Sequence, residues 1–292
     1  MDESFAASCL GGPFRGADAV AAGWVTRSEL IGARFVRLLP DVYVESGVPL
    51  EHGLLCRAAA VFLRGRGAVS GLSAALLHGV RLVADPRPVE VTVPRGMHLR
   101  AQLRLAVVRA ALVRGDVVHV RGVPVTSAAR TAFDLARRDS LGEAVARVDA
   151  LLHARVVPAA AISAYATSRA RWVGAARVAR VLALADAGAG SPAETRTRLI
   201  LVRGGLPRPV TRHEVRCPGG VTCRLALAYP AHRLGVELAG ARPSPVDPRR
   251  RDALRAAGWQ VLRLTRADVD RRPGYVVALV RQWLQLRSGH TA

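Results

Sequence analysis

Apolar and polar positions alternate with periods that divide the chain into short helical and extended stretches. Residues 14–45 begin FRGADAVAAG and continue VTRSELIGARFVRLLPDVYVES. Thr26 and Ser28 are placed to cap a short helix that Glu29 and Leu30 continue, since a hydroxyl there accepts from first-turn N–H groups that lack helical partners. RFVRLLPDVYV then reads as a hairpin. A helix around 51–64, another over 70–78 (SGLSAALLH) and an alternating strand VEVTV at 89–93 follow. DVVHVRGVPVTS, residues 116–127, predicts a hairpin running into a helix capped by Thr126 or Ser127. Helical spacing of apolar residues continues over 128–138, 141–153, 158–167 and 172–185, and no internal repeat is evident.

The small residues of ADAGAGSP, 185–192, interrupt this pattern. Beyond them the order is helix, hairpin, strand, helix, strand, helix. Ser191, Pro192, Ala193 and Glu194 open a helix to about Val202, which GGLPRP ends. Strands are expected at about 209–217, 221–229 and 233–239, with a helix over 248–257 that stops at Gly258. WQVLRLT gives a short strand and PGYVVALVRQWLQL a closing helix. The whole is α/β in composition of elements and α+β overall. It has a winged-helix outline in 1–50, a mixed α/β and helical region in 51–185, and in 191–292 a small mixed sheet flanked by helices.

Charge changes the picture. The 292 residues hold 43 basic and 22 acidic side chains, a net +21, and every basic residue is Arg because the chain has neither Lys nor Asn. A GC-rich genome accounts for Arg in place of Lys but not for the surplus. Nucleic acid is the partner such a surface fits, since phosphates bind it with release of counterions, and arginine suits bidentate phosphate contact. Residues 191–292 carry 19 Arg against 7 acids, so the C-terminal part is the more basic per residue. The acidic N-terminus MDESFAASCLGG lacks the pattern of a secretory signal, and Arg punctuates every Ala/Val-rich segment. A cytoplasmic protein without membrane contact is expected. Cys9, Cys56, Cys217 and Cys223 form no CxxC pair, although Cys217 and Cys223 flank PGGVT and could face each other as reduced thiols across a hairpin.

One acid stands out. In LALAYPAHRLGVELAG, 225–240, Glu237 is the sole carboxylate near the end of an otherwise apolar strand. It could be a surface charge, a partner for an arginine such as Arg250 or Arg224, or a metal ligand. His78, His119, His153, His213 and His232 lack metal spacing. Ser70-Gly71-Leu72-Ser73 reads as a helix cap rather than a nucleophile elbow, and RGRG at 64–67 as a basic turn.

Three segments, SPAETRTRLILVRGGLPRPVTRHEV, CRLALAYPAHRLGVELAG and DPRRRDALRAAGWQVLRLT, together resemble the restriction-endonuclease-like PD-(D/E)XK superfamily. Within it they are most similar to the actinobacterial domain related to very-short-patch repair endonucleases, which shows the spacing Asp247, Arg250, Leu254, Gly258, Trp259. GGPFRGADAVAAG, LLPDVYV and GVPVTSAARTAFDLA resemble the AbiEi-antitoxin-like winged-helix partner found fused to it. Such nucleases hold a divalent cation between carboxylates on adjacent strands to activate water. The resemblance implies an aspartate at Ala226, a glutamate at Glu237, a second acid at Ala239 and a histidine near Arg242, with a lysine assisting. Only Glu237 matches. Glu194 is a second candidate acid, although Ser191-x-x-Glu194 has the form of a capping box. The expectation is a DNA-binding protein with a remnant catalytic site at Glu237 and Glu194 and no cofactor. Arg249, Arg250, Arg251 and Arg255 are expected to contact the phosphates of double-stranded DNA. The alternatives are an active endonuclease binding Mg²⁺ through Glu237, and an antitoxin-type repressor with a cognate toxin or other protein as partner.

Overall fold

The computed structural model describes residues 11–82, 88–99, 102–239 and 247–288. It contains two compact units, residues 1–135 and 136–292. Cys9 and Arg242 lie outside the described residues. Among those described, no helix is long and apolar enough to cross a membrane.

The first unit begins with β1 (Phe14–Arg15), α1 (Gly16–Ala21), α2 (Arg27–Ile31), β2 (Phe35–Leu39) and β3 (Val42–Glu45). Its three strands form an antiparallel sheet in the order β1-β3-β2. Thr26 caps α2 as its sequence suggests: Oγ1 accepts from the Glu29 N–H at 3.2 Å, while Glu29 Oε2 accepts from the Thr26 N–H at 2.7 Å. Asp41, in the left-handed region at φ 58°, turns the hairpin. Its carboxylate takes the Ala17 N–H at 2.9 Å and Arg15 Nη2 at 2.6 Å, which ties the hairpin tip to the start of α1. A small core of Phe14, Ala19, Val25 and Phe35 lies beneath, the two phenyl rings edge-on at 5.3 Å.

The same unit continues through α3 (His52–Leu63), β4 (Ala68–Val69), α4 (Gly71–Leu77), β5 (Val89–Val93), β6 (Leu105–Arg109), β7 (Val117–Val120), β8 (Val123–Thr126) and most of α5 (Ala128–Arg138), whose last three residues belong to the second unit. These strands form a mixed sheet in the order β6-β5-β4-β8-β7. Aliphatic side chains of α3 and the central strands make its core, from Leu54 and Leu63 to Val91 and Val125. Gly71 is required where it stands. At φ +56° a Cβ would fall 1.9 Å from Glu90 Oε2, whose partner oxygen accepts the Leu72 N–H at 3.3 Å. Ser70 occupies the capping position of α4 without a side-chain capping bond. The Ser73 hydroxyl instead accepts the Glu90 N–H at 2.9 Å. The start of α5 is capped by Ser127 rather than Thr126, through the Arg130 N–H at 3.4 Å. Arg130 is fully buried and paired with Asp116 at 2.6 Å and Asp134 at 2.7 Å, which anchors α5 to the segment leading into β7.

The second unit holds α6 (Leu141–His153), α7 (Ala159–Ser168), α8 (Ala175–Leu184), α9 (Pro192–Arg203), β9 (Val210–Arg216), β10 (Thr222–Tyr229), β11 (Leu234–Leu238), α10 (Pro248–Ala256), β12 (Gln260–Leu264), α11 (Arg266–Arg271) and α12 (Pro273–Ser288). The sheet order is β12-β11-β10-β9, antiparallel except for the parallel β11–β12 pair. One cluster packs Leu201, Leu227, Val236 and Leu264 against Val276 and Val280 of α12, and a second packs Cys223 and Leu225 against Leu254.

The composition break at 185–192 lies inside this unit. Asp149 of α6 accepts from the Asp186 N–H at 2.6 Å, Thr195 Oγ1 at 2.8 Å and Arg198 Nη2 at 2.8 Å, the last two on α9. Burial pushes the Asp149 carboxyl up, and those three donors oppose the shift. Arg196 adds a half-exposed bridge to Glu143 at 2.8 Å. Helices on either side of the Gly-rich stretch are therefore joined through buried charge.

Candidate nucleic-acid interface

β10 and β11 run antiparallel, with Leu227 opposite Val236 and Tyr229 opposite Leu234, joined by a turn in which Arg233 takes φ 45°. One step beyond the Leu227–Val236 pair stand Ala226 and Glu237. The place where the nuclease resemblance calls for an aspartate is thus next to Glu237 and ends in a methyl group. Ala239 follows β11, its N–H bonded to the Leu264 carbonyl at 2.8 Å, and it too offers no ligand.

Glu237 is held by Arg250 of α10. Arg250 Nη1 donates to Oε2 at 3.2 Å, Nη2 donates to Oε1, and Nη2 also reaches the Arg224 carbonyl at 2.7 Å. The guanidinium fork thereby engages both carboxylate oxygens, the strongest form of this pairing. Side-chain exposures of 16% for Glu237 and 32% for Arg250 leave the pair shielded yet in reach of water. The bonded carboxylate raises the Arg250 pKa above its ordinary value, against the opposing effect of partial burial. A cation at Glu237 would have to displace the guanidinium. Arg224, the other arginine expected to reach Glu237, pairs with Glu214 at 3.0 Å.

Glu194 takes the local role that its spacing suggests. The Ser191 hydroxyl accepts from the Glu194 N–H at 3.2 Å and donates to Oε1 at 3.0 Å, while Oε2 accepts the Gly190 N–H at 2.9 Å. Mg²⁺ sites need one or two carboxylates that point at the ion together with substrate oxygens. Here one acid is locked to an arginine and the other to a helix start. Among the described residues no group of three or more His, Cys, Asp and Glu side chains could hold a metal. As placed among the described residues, Glu237 and Glu194 do not fit a Mg²⁺ centre.

The four arginines of α10 separate. Asp247 caps the helix by accepting the Arg249 N–H at 3.0 Å. Arg250 turns to Glu237, whereas Arg249, Arg251 and Arg255 are exposed. Arg251 lies 3.4 Å from Asp252 in a solvent-screened contact of little energetic weight. Arg249 and Arg255 form no ion pair among the described residues. Three of the four expected phosphate contacts thus face solvent, and one does not.

In the first unit, α2 buries none of its residues and presents Arg27, Ser28 and Ile31 outward, Ile31 at 85% exposure. Arg37 on β2 is also exposed, while Arg34 is drawn to Glu29 and Glu45 at 3.3 and 3.6 Å. Among the candidate histidines, His78 and His153 each spend a ring nitrogen on a main-chain carbonyl at 2.9 Å, and the His213 ring lies 5.1 Å from that of Trp259, tilted by 37°. Cys217 and Cys223 are both buried and unbridged, with burial raising the Cys217 thiol.

Residues 67–184 match the AbiEi antitoxin C-terminal domain family. The match takes in GVPVTSAARTAFDLA and α5 to α8 and does not extend to residues 14–45 or 191–292. Over 243 residues the chain is 30% identical to the uncharacterized proteins Rv2248 and MT2308 of Mycobacterium tuberculosis, covering 80% of this chain and 88% of each relative. The chain belongs to the family of these mycobacterial proteins. The crystal structure of the RV2827C protein from Mycobacterium tuberculosis aligns with a TM-score of 0.44 at 16% identity over 72% of this chain and 87% of that one, a likeness too slight for any argument. An alignment of four fifths of the chain must include parts of both compact units.

One cluster in this family member has no counterpart among the residues singled out from sequence. Arg169 lies over Tyr165 at 5.0 Å and over Trp172 at 5.7 Å, and Arg137 approaches the Trp172 ring at 5.7 Å. The run YATSRARW carries the signal, an aromatic four residues before an arginine and another three after it, at spacings that bring side chains together on a helix and its end.

Proposed function

We propose that the chain is a DNA-binding protein of antitoxin type. In this reading the element formed by α1, α2 and the β2–β3 hairpin reads duplex DNA as a winged helix. The sheet of the second unit is a nuclease-like scaffold that has lost its cation site and serves as a binding surface. The match of residues 67–184 to the AbiEi antitoxin C-terminal domain carries the proposal.

Physical features support it. A surface with a net +21 gains affinity for phosphates by releasing counterions. A short helix that buries nothing and shows Arg27, Ser28 and Ile31 to solvent has the residue types that meet a major groove: a fork for guanine, a hydroxyl for either edge, and an aliphatic group for the thymine methyl. Arg37 on the hairpin is placed to meet adjacent phosphate. On the second unit, Arg249, Arg251 and Arg255 supply contacts that position without specifying sequence.

Fluorescence anisotropy with duplexes from the region upstream of the protein's own coding sequence tests this reading. Tight binding to one such duplex over a scrambled one, lost in Arg27→Ala/Ile31→Ala with folding intact, is the expected result. Equal affinity for all duplexes, unchanged in that variant, would remove α2 as the reading element. A repressor and an antitoxin share this outcome. Co-purification of a stoichiometric partner encoded beside the gene distinguishes the antitoxin.

A further inference from the structure

The β10–β11 turn, the end of α10 and the last turns of α12 enclose a pocket of about 580 Å³ in the second unit. His232, Arg233, Gly258, Trp283, Leu286 and Arg287 line it, and among the described residues no carboxylate does. That volume is the size that holds one small ligand.

The basic groups here are held in place. Arg287 Nη1 donates to the carbonyls of His232 and Gly258, each at 3.1 Å, which fixes the direction of its guanidinium. Arg233 is exposed on a left-handed backbone at φ 45°, a conformation non-glycine residues adopt at a cost. Its guanidinium lies close to Gly258, where a Cβ would fall 2.8 Å from Nη1. Among the described residues Arg233 meets no carboxylate. Trp283 packs against the apolar cluster of β10, β11 and α12, so its indole is a fixed wall. A planar aromatic wall beside two guanidiniums is the chemistry that receives a base by stacking and a phosphate by a bidentate fork.

We propose that this pocket binds a nucleoside phosphate, with the base against Trp283 and the phosphate between Arg233 and Arg287. The site is separate from the Glu237–Arg250 pair: Arg233 precedes β11 and Glu237 lies four residues on, roughly 13 Å along an extended strand. It does not depend on the reading of α2 as a DNA-recognition element. Two sources share the chemistry, a free mononucleotide and the phosphorylated end of a DNA strand.

Titration calorimetry on the full chain, with AMP, GMP, adenosine and inorganic phosphate as probes, tests the proposal. A mononucleotide should bind with a Kd at or below about 1 mM, and adenosine or phosphate alone at least about tenfold more weakly. Arg233→Gln and Trp283→Leu should each weaken AMP or GMP about tenfold or more, while Arg180→Gln, exposed on α8, should not. Arg233 is exposed, so Arg233→Gln decides the matter even where Trp283→Leu loosens the fold. A 5′-phosphorylated hexanucleotide that displaces AMP assigns the site to strand ends, and one that does not assigns it to free nucleotide. The proposal is overturned by the absence of mononucleotide binding, by binding that Arg233→Gln leaves intact, or by inorganic phosphate binding as well as AMP.

Discussion

Removing Asp149 should unfold the second unit at a much lower temperature. The carboxylate is 1% exposed, as is its partner Arg198, and it accepts three hydrogen bonds from Asp186, Thr195 and Arg198. In Asp149→Ala the N–H of Asp186 loses its acceptor, at about 1–3 kcal/mol for a group left unsatisfied, and the Thr195 hydroxyl keeps only its 3.4 Å bond to the Ser191 carbonyl. Arg198 keeps only its bond to the Leu184 carbonyl at 2.6 Å and becomes a buried charge without a counter-ion. Breaking one side of such a pair costs about 3–5 kcal/mol. That corresponds to a fall of roughly 6–20 °C in Tm for a unit of this size. The assay is thermal and urea unfolding followed by near-ultraviolet circular dichroism. Three of the four tryptophans, Trp172, Trp259 and Trp283, lie in the second unit and report on it. Replacing both partners, Asp149→Leu with Arg198→Met, should recover much of the loss, because an apolar pair carries no desolvation penalty. A loss below about 1 kcal/mol in Asp149→Ala would refute the claim that this charge network joins α6 to α9.

Further tests follow from other side chains. Tyr229→Phe should raise stability by about 1 kcal/mol in urea unfolding, because the Tyr229 hydroxyl is buried with no hydrogen-bond partner among the described residues; a destabilised variant would mean that the hydroxyl is satisfied in solution. Joint replacement of Arg249, Arg251 and Arg255 by Ala should weaken duplex binding while shifting stability by less than about 0.5 kcal/mol per site. Arg250→Ala should instead lower Tm by stranding Glu237, and an unchanged Tm would deny the pair its structural role. Plasmid incubated with the natural protein and Mg²⁺ or Mn²⁺ should stay uncut, and cleavage that disappears in Glu237→Ala would promote the enzyme reading.

The short-range features of the fold were legible in the sequence. The three strands at 209–217, 221–229 and 233–239 show themselves by alternation between Gly and Pro turns, and they occur as β9, β10 and β11 with boundaries moved by a residue or so. Glu194 and Thr26 could be read as capping residues because both ends of those contacts lie within four positions. Strand β6 was not visible, since Arg and Ala break the apolar run of LRLAVVR and only pairing with β5 makes it a strand. The Asp149–Arg198 contact spans 49 positions and leaves no local trace, so the Gly-rich stretch at 185–192 read as a boundary. At the candidate site, three consecutive arginines point about 100° apart on a helix. Which of them turns inward to Glu237 depends on how α10 lies on the sheet, and composition alone does not encode that.

The central claim is that the surplus of 21 positive charges serves duplex DNA. It is tested most directly by the affinity of the full chain for a duplex of fixed sequence as salt rises from about 50 to about 200 mM. The account predicts a linear fall of log K with log salt, at least about tenfold over that range, with a slope that becomes shallower when Arg249, Arg251 and Arg255 are removed. An affinity that does not change with salt would contradict it.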